Sequence, residues 1–402
     1  MFINLNPLIK YRDYRLLFFS QMISTLGSMM TYMAIPYQVY ILTKSSFLVG
    51  MLGVVQLTPI LVFGLIGGSV ADHMDRKKLL IYSEIIMALC ALLLMVNSFR
   101  DTPSVFFIFI LAGLMQVANG FHRPAMDATN QKLVQPKDYS AIAALNSLRN
   151  SLGTILGPSL GGALIAFSGA RLTYFVDFVT FMVAISLIGL IQKMPSGNTS
   201  KVYHLKNIKE GLRYAISRPE LVGTYVVDIV AMIFAFPTAL FPALSMQWGG
   251  AKAAGILYSA MSVGSLIATL TSGWVPKVKR HGAVIIIAAT IWGVGIIGLG
   301  FAQQLWLAVL CLVVAGAADM VSGLFRGTVW NETIPNQMRG RLSGIEMISY
   351  MSGPLLGNAR AGWVASASNN EFAIVSGGVI CVIACILCGF YLKKFWKYKS
   401  QI

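Results

Sequence analysis

The sequence predicts an all-α membrane protein of twelve transmembrane helices in two six-helix pseudo-repeats, on three observations. Hydrophobic residues fill 56% of the 402 positions and charged residues 11%, against roughly 45–50% and 25% in soluble domains, too few charges for a water-facing shell. The apolar residues come in blocks of about 20, the length of helix that crosses ~30 Å of hydrocarbon. A glycine-proline landmark occurs twice, Gly157-Pro158-Ser159-Leu160-Gly161 and Gly353-Pro354-Leu355-Leu356-Gly357, at an offset of 196 residues.

In chain order the apolar runs place spans at 16–42, 48–71, 79–98, 104–125, 140–167, 172–192, 220–244, 253–275, 283–302, 305–327, 342–367 and 371–392. Lys10, Arg12 and Arg15 precede the first run, which is too long for a signal peptide and lacks a small-residue cleavage site, so it is read as a retained span. The polar stretch between spans 6 and 7 divides the chain into an N-terminal half (1–192), a cytoplasmic linker (193–219) and a C-terminal half (220–402). Within the linker, Leu205, Ile208, Leu212 and Ala215 or Ile216 recur at helical spacing opposite Lys206, Lys209 and Arg213. That pattern suits a basic amphipathic helix on the inner leaflet, with a free solvated helix as the alternative.

The net charge of +16 sits in short loops. Assigned alternately, the loops on the side of the termini hold 25 of the 31 Lys and Arg, Arg326 among them. This places both termini in the cytoplasm and argues against nucleic-acid binding. The five cysteines lie inside apolar blocks, which excludes a disulfide framework. Cys381, Cys385 and Cys388 share a helical face, a soft-metal pattern, but packing explains them without a metal. His73, His122, His204 and His281 lie at cytoplasmic ends without ligand spacing. No metal site, cofactor or nucleotide-binding loop is expected.

Two motifs carry a resemblance. The loop after span 2 reads Gly68-Ser69-Val70-Ala71-Asp72-His73-Met74-Asp75-Arg76-Lys77-Lys78, which resembles the cytoplasmic loop signature of the major facilitator superfamily. Asp75 stands where many members carry Gly. The second-half counterpart, Gly273 to Arg280, keeps the basic cluster but has no Asp. Span 5 carries Gly153, Gly157, Pro158, Gly161 and Gly162, glycines at four-residue spacing that let a second helix approach closely, with a proline that bends the span. This resembles the family's span-5 signature of proton-exchanging exporters. Phe18 to Gly27, Thr43 to Ser46 with Val49-Gly50, Asn119-Gly120-Phe121 with Pro124, and Arg339 to Gly344 look like the branch of enterobactin-exporter-like and macrolide-efflux-like permeases. Ser28 stands where relatives often carry Asp.

The resemblance implies the major facilitator fold, with a cytoplasmic gate at Gly68, Asp72, Asp75, Arg76 and Lys77. A purely topogenic basic loop is the plain alternative for that gate. An ionisable side chain in a span costs ~2.5 kcal/mol or more on insertion scales, so each calls for a role. Arg149, Asp177, Asp228, Asp319, Glu346 and Arg360 qualify. Asp177, Glu346 and Glu84 read as ordinary stabilisation near span ends, and Arg360 as a side chain that snorkels outward. Asp228 and Asp319 fall on spans 7 and 10, which line the cavity in the resembled fold, and are the candidates for proton coupling. Arg149 is the candidate balancing cation or anchor for an anionic substrate, a salt-bridged structural pair being the alternative. Tyr32, Gln38, Gln116, Asn119, Tyr225 and Phe236 are cavity candidates.

The expectation is a monomeric proton-coupled exporter of an amphipathic small molecule, a siderophore or drug, in a bacterial cytoplasmic membrane, and not an enzyme. An importer or uniporter, and a non-transporting sensor or lipid-handling protein, are the rival readings.

Overall fold

Twelve helices of 17 residues or more follow one another in the computed structural model, which describes residues 4–192 and 205–400. They are α1 (Arg12–Thr43), α2 (Ser46–His73), α3 (Arg76–Asn97), α4 (Val105–Lys132), α5 (Tyr139–Ser168), α6 (Ala170–Gly189), α7 (Pro219–Ala235), α8 (Ala251–Leu270), α9 (His281–Gly300), α10 (Leu305–Thr333), α11 (Asn336–Ala367) and α12 (Asn370–Tyr391). Among the described residues, ten segments are long and apolar enough to cross a membrane, fewer than the twelve read from apolar runs. The two helices that fall short, α1 and α11, are 32 residues each. Their polarity has a cause: α1 buries Gln21, Ser24, Thr31 and Gln38, and α11 carries Asn358 and Arg360, both bonded to protein groups. Polar groups at membrane depth persist where they face protein partners rather than lipid.

Contacts divide the chain into two compact units, Met1–Leu42 with Thr58–Val202, and Thr43–Leu57 with Tyr203–Ile402. In the first unit α3 packs on α4 and α6, and α5 on α6. In the second, α9 packs on α10 and α12, and α11 on α12. The glycine-proline landmark does the same work in both. A Cβ on Gly161 of α5 would stand 3.1 Å from the Met30 backbone of α1, and one on Gly157 would strike Met29. Gly153 meets Thr25, while Pro158 and Gly162 are buried. In α11, Gly353 and Gly357 seat against Met232 and Phe236 of α7 and its end. Close helix approach therefore requires these glycines.

Span 7 departs from the single run that apolarity suggests. Helix α7 stops at Ala235, Phe236 is extended, and the chain resumes as short turns at Thr238–Leu240 and Phe241–Ser245. Pro237 disfavours helical backbone at the residue before it and supplies no N–H. The freed groups find partners on α11. Asn358 Oδ1 accepts from Thr238 Oγ1 (2.8 Å) and Ala239 N (2.9 Å). Arg360 Nη1 donates to the carbonyls of Phe234 (2.7 Å) and Ala373 (3.1 Å). Arg360 thus points into the protein and does not snorkel outward.

The linker helix Leu205–Ser217 is docked rather than free. Ala215 is buried with Leu221, Ile334 and Leu342, and Tyr214 donates to the Thr333 carbonyl at 2.8 Å. Leu212 and Ile216, one turn apart, remain exposed, so this turn keeps an outward apolar edge; Leu205 and Ile208 lie outside the residues whose side chains are described. Beyond α12 the chain folds back on the second unit. Phe395 is buried between Gly223 of α7 and Gly282 of α9. Tyr398 donates to Glu332 Oε2 at 2.9 Å, and burial pushes its hydroxyl up to about 12, so it remains a donor at neutral pH. Cys381 and Cys385 are buried free thiols, Cys381 packing on Gly293 of α9.

Candidate functional site

The second unit brings Asp228 and Asp319 to one cation. Asp228 lies in the third turn of α7; Asp319 and Arg326 are seven residues apart on α10, two turns on one face. Arg326 Nη1 pairs directly with Asp228 Oδ1, and its Nη2 reaches Asp319 Oδ1 at 3.4 Å. The side chains of Asp228 and Arg326 are 10% and 19% exposed, that of Asp319 39%. Arg326 is therefore locked to one carboxylate and loosely shared with another.

A cavity of about 250 Å³ opens beside the pair, lined by Thr224, Tyr225, Asp228, Arg326, Trp330 and Tyr350 together with Gly323 and Gly327. Trp330, one turn beyond Arg326, donates to Thr224 Oγ1 at 3.3 Å and packs edge-to-face on Tyr225 at 5.2 Å. A Cβ on Gly327 would meet nothing within 4 Å, so α10 keeps this wall open by lacking side chains. The site offers aromatic faces, two carboxylate acceptors and one guanidinium, a set matched to a ligand with rings and hydroxyl or acidic groups.

The other predicted positions scatter. Arg149 belongs to the first unit, and the cation on Asp228 is Arg326. Among the described residues the guanidinium of Arg149 bonds to its neighbour Asn150, at 3.2 and 3.4 Å. Its Nη1 is buried without a hydrogen-bond partner among the described residues. Tyr225 lines the cavity, whereas Phe236 stacks on Trp292 of α9. Gln38 is buried between Ser98 (2.9 Å) and the Tyr174 hydroxyl (2.8 Å). Asn119 bonds to Gln116 at 3.3 Å, and Tyr32 is 41% exposed.

Of the gate residues, Gly68 and Asp72 lie outside the residues whose side chains are described, as does Glu346. Asp75 caps α3, its Oδ1 accepting from the backbone N–H of Lys77 (2.8 Å) and Lys78 (3.4 Å). Lys77 Nζ caps α6 at the carbonyls of Gly189 and Ile191, a cation at a helix C-terminus. Arg76 is 5% exposed. Asp75→Ala is expected to lower stability by about 1 kcal/mol, the usual worth of an N-cap, while Asp75→Asn keeps the cap; thermal unfolding in detergent distinguishes the two.

The first unit holds groups that the sequence reading set aside. Asp177 and Glu84 are both fully buried. Asp177 accepts from Thr31 (2.5 Å) and Thr180 (3.3 Å), in space that Gly27 leaves open. Glu84 accepts from Gln21 and Ser24 and meets His122 at 3.1 Å. The signal was the spacing along α1: Gln21, Ser24, Thr31 and Gln38 fall on one helical face. Arg326 was missed because its position near a span end sorted it with the loop cations, although its seven-residue offset from Asp319 was visible. No group of three or more His, Cys, Asp or Glu placed to hold a metal ion occurs among the described residues.

Membrane-length helices with carboxylates and a guanidinium buried at span depth beside a cavity define a secondary transporter. A family model described as transmembrane secretion effector matches residues 4–400. The chain belongs to that family, within the major facilitator superfamily. It is similar to the enterobactin exporter EntS of Shigella boydii serotype 4, 27% identical over 416 aligned residues that cover 100% of this chain and 97% of that protein. The enterobactin exporter EntS of Citrobacter koseri is 26% identical over 397 residues, 95% of this chain and 94% of that one. Among solved structures, a bacterial homologue of the human lysosomal transporter Spinster, inward-facing and unoccupied, matches with a TM-score of 0.77 at 14% identity over 97% of this chain and 98% of its own. A bacterial homologue of the iron transporter ferroportin, inward-facing, matches at 0.68 and 15% over 96% and 98%. These structures share the fold.

Proposed function

We propose that this chain is a proton-coupled exporter that moves an amphipathic small molecule of the siderophore kind, rich in catechol-like hydroxyls, out across a bacterial cytoplasmic membrane. The carrying observation is the Asp228–Arg326–Asp319 cluster beside an aromatic cavity within the span region. A catechol donates two hydroxyls to a carboxylate, so it binds the ionised acid and competes with a proton there. Competition of that sign is what exchange requires: substrate binding expels the proton, and the entering proton expels substrate. Asp319 suits this role because Arg326 holds it loosely, whereas Asp228 positions the guanidinium. Arg149, with a buried donor unused, is a second anchor for acidic groups.

All twelve helices, α1 and α11 included, cross the membrane as two six-helix repeats with both termini cytoplasmic. The bias of basic loops supports this orientation. The repeats divide at residues 192 and 220 around the docked linker, and the transporter works as a monomer. Gly68, Asp72, Asp75, Arg76 and Lys77 form its cytoplasmic gate.

The test is flux of a labelled catecholate siderophore in everted vesicles with an imposed pH gradient. Wild-type protein accumulates substrate when the lumen is acidic. Asp319→Asn is expected to lose gradient-driven uptake and retain substrate counterflow; gradient-driven uptake at the wild-type rate in Asp319→Asn overturns the coupling assignment.

A further inference from the structure

We propose that Glu84 and His122 form a proton-binding site in the first unit, distinct from the Asp228–Arg326–Asp319 cluster, that holds one proton between carboxylate and imidazole. Glu84 lies two turns into α3 and is 0% exposed; His122, on α4, is 9% exposed. The carboxylate is surrounded by donors. Gln21 Nε2 gives to Oε1 at 3.0 Å, and Ser24 Oγ reaches Oε2 at 3.1 Å and Oε1 at 3.3 Å. His122 Nε2 stands 3.1 Å from Oε1 and 3.4 Å from the Gln21 amide.

Amide and hydroxyl donors on both oxygens suit an ionised carboxylate, and a buried carboxylate needs a compensating cation. Among the described residues, no Lys or Arg lies within ion-pair distance of Glu84; His122 alone does. A Lys or Arg here makes a permanent pair. An imidazole, the side-chain class that changes charge near neutral pH, makes one that exists only while the proton is present. Loss of the Nε2 proton leaves Glu84 charged and uncompensated in a buried site.

The surrounding groups bear on this balance. From α1 the facing groups are Gln21 and Ser24, which do not titrate. From α6, Asp177 adds negative potential at Glu84 while bonded to Thr31 and Thr180. On α4, Arg123 adjoins His122, and Asp127, within reach of Arg149 on α5, adds its own negative potential at His122. Two buried acids lie near this imidazole in the first unit, and the proton on His122 changes the local charge by one. That the site binds a proton stands on this geometry; that the proton is exchanged during transport rests on the coupled-exporter reading above.

The full-length protein has four histidines, so ¹⁵N-histidine NMR in nanodiscs resolves the imidazole of His122 once His122→Gln identifies its signal. The signal is followed from about pH 5 to about pH 9, and the expected result is a His122 resonance that changes with pH and whose pH dependence is altered in Glu84→Gln, because removing an adjacent anion disfavours the imidazolium. A His122 signal unchanged over that range in the wild-type protein, or a pH dependence unaltered in a folded Glu84→Gln, overturns the site. Because the wild-type titration needs no variant other than the assignment, the proposal remains testable where Glu84→Gln fails to fold. The transport role is read separately. His122→Gln should shift the pH profile of gradient-driven flux while Asp319→Asn abolishes that flux. Titration of His122 with coupling intact in Asp319→Asn sinks the assignment of coupling to Asp319 and leaves the site. A silent His122 with coupling lost in Asp319→Asn does the reverse.

Discussion

Arg326→Met is expected to abolish transport and to lower stability more than any single carboxylate replacement in the same cluster. Arg326 satisfies Asp228, which is 9% exposed, and is shared with Asp319. Removing it leaves both carboxylates without the cation they share. Breaking a buried pair costs about 3–5 kcal/mol; the adjoining cavity admits some screening, so the lower end applies. Arg326→Lys should recover only part, because a single ammonium cannot reproduce a fork that serves two acids.

The geometry also predicts an order. Asp228→Asn leaves Arg326 with a second carboxylate 3.4 Å away, so its stability loss should be smaller than that of Arg326→Met. The double variant Asp228→Asn/Arg326→Met removes the more deeply buried of the two orphaned charges and should be more stable than Arg326→Met alone. Thermal unfolding of the three variants and the wild type forms a double-mutant cycle. Equal losses in Arg326→Met and in the double variant would contradict the pairing.

How far the sequence carried this picture depended on what each signal encodes. Apolar run length placed a long helix at each of the twelve runs, α1 at 12–43 against an expected 16–42, because helix length at membrane depth is set by the bilayer. The ends are less well placed, α7 stopping at 235 against an expected 244 and α4 running on to 132 against 125. The Gly157 and Gly353 landmarks foretold close packing because glycine spacing is itself a contact surface. Asp228 and Asp319 stood out because a carboxylate within an apolar run is costly wherever it points. Partners across the fold were another matter. Nothing local to Glu84 announces His122 thirty-eight residues later, and Arg149 was paired with Asp228 by charge alone, whereas the fold puts Arg326 there. Pro237 was visible, but its effect on span 7 depends on Asn358 and Arg360 arriving from α11 to receive the broken backbone.

Gly316→Val is expected to have the second large effect, by way of backbone rather than charge. Helices α8 and α10 touch through a reciprocal glycine pair. A Cβ on Gly316 would run into the Met261 backbone, with its Cα at 2.7 Å, and one on Gly264 would strike the Val313 carbonyl and lie 2.8 Å from Ala317 N. Neither obstacle is the flexible end of a side chain, so the helices themselves must separate. Ser265 Oγ, bonded to the Gly316 carbonyl at 3.0 Å, loses that contact as they do. Overpacking costs typically 1–3 kcal/mol, and backbone meeting backbone puts this site at or above the upper figure. Asp319 is one turn beyond Gly316 and Arg326 two turns beyond that, so displacing α10 stretches the pair with Asp228 on α7 and impairs transport as well. Gly327→Ala, on the same helix, supplies the contrast: its Cβ enters open space beside the cavity. That variant should unfold at the wild-type temperature and bind substrate more weakly. Equal stability of Gly316→Val and Gly327→Ala would mean that α10 is free to move past α8, and that its glycines serve the cavity alone.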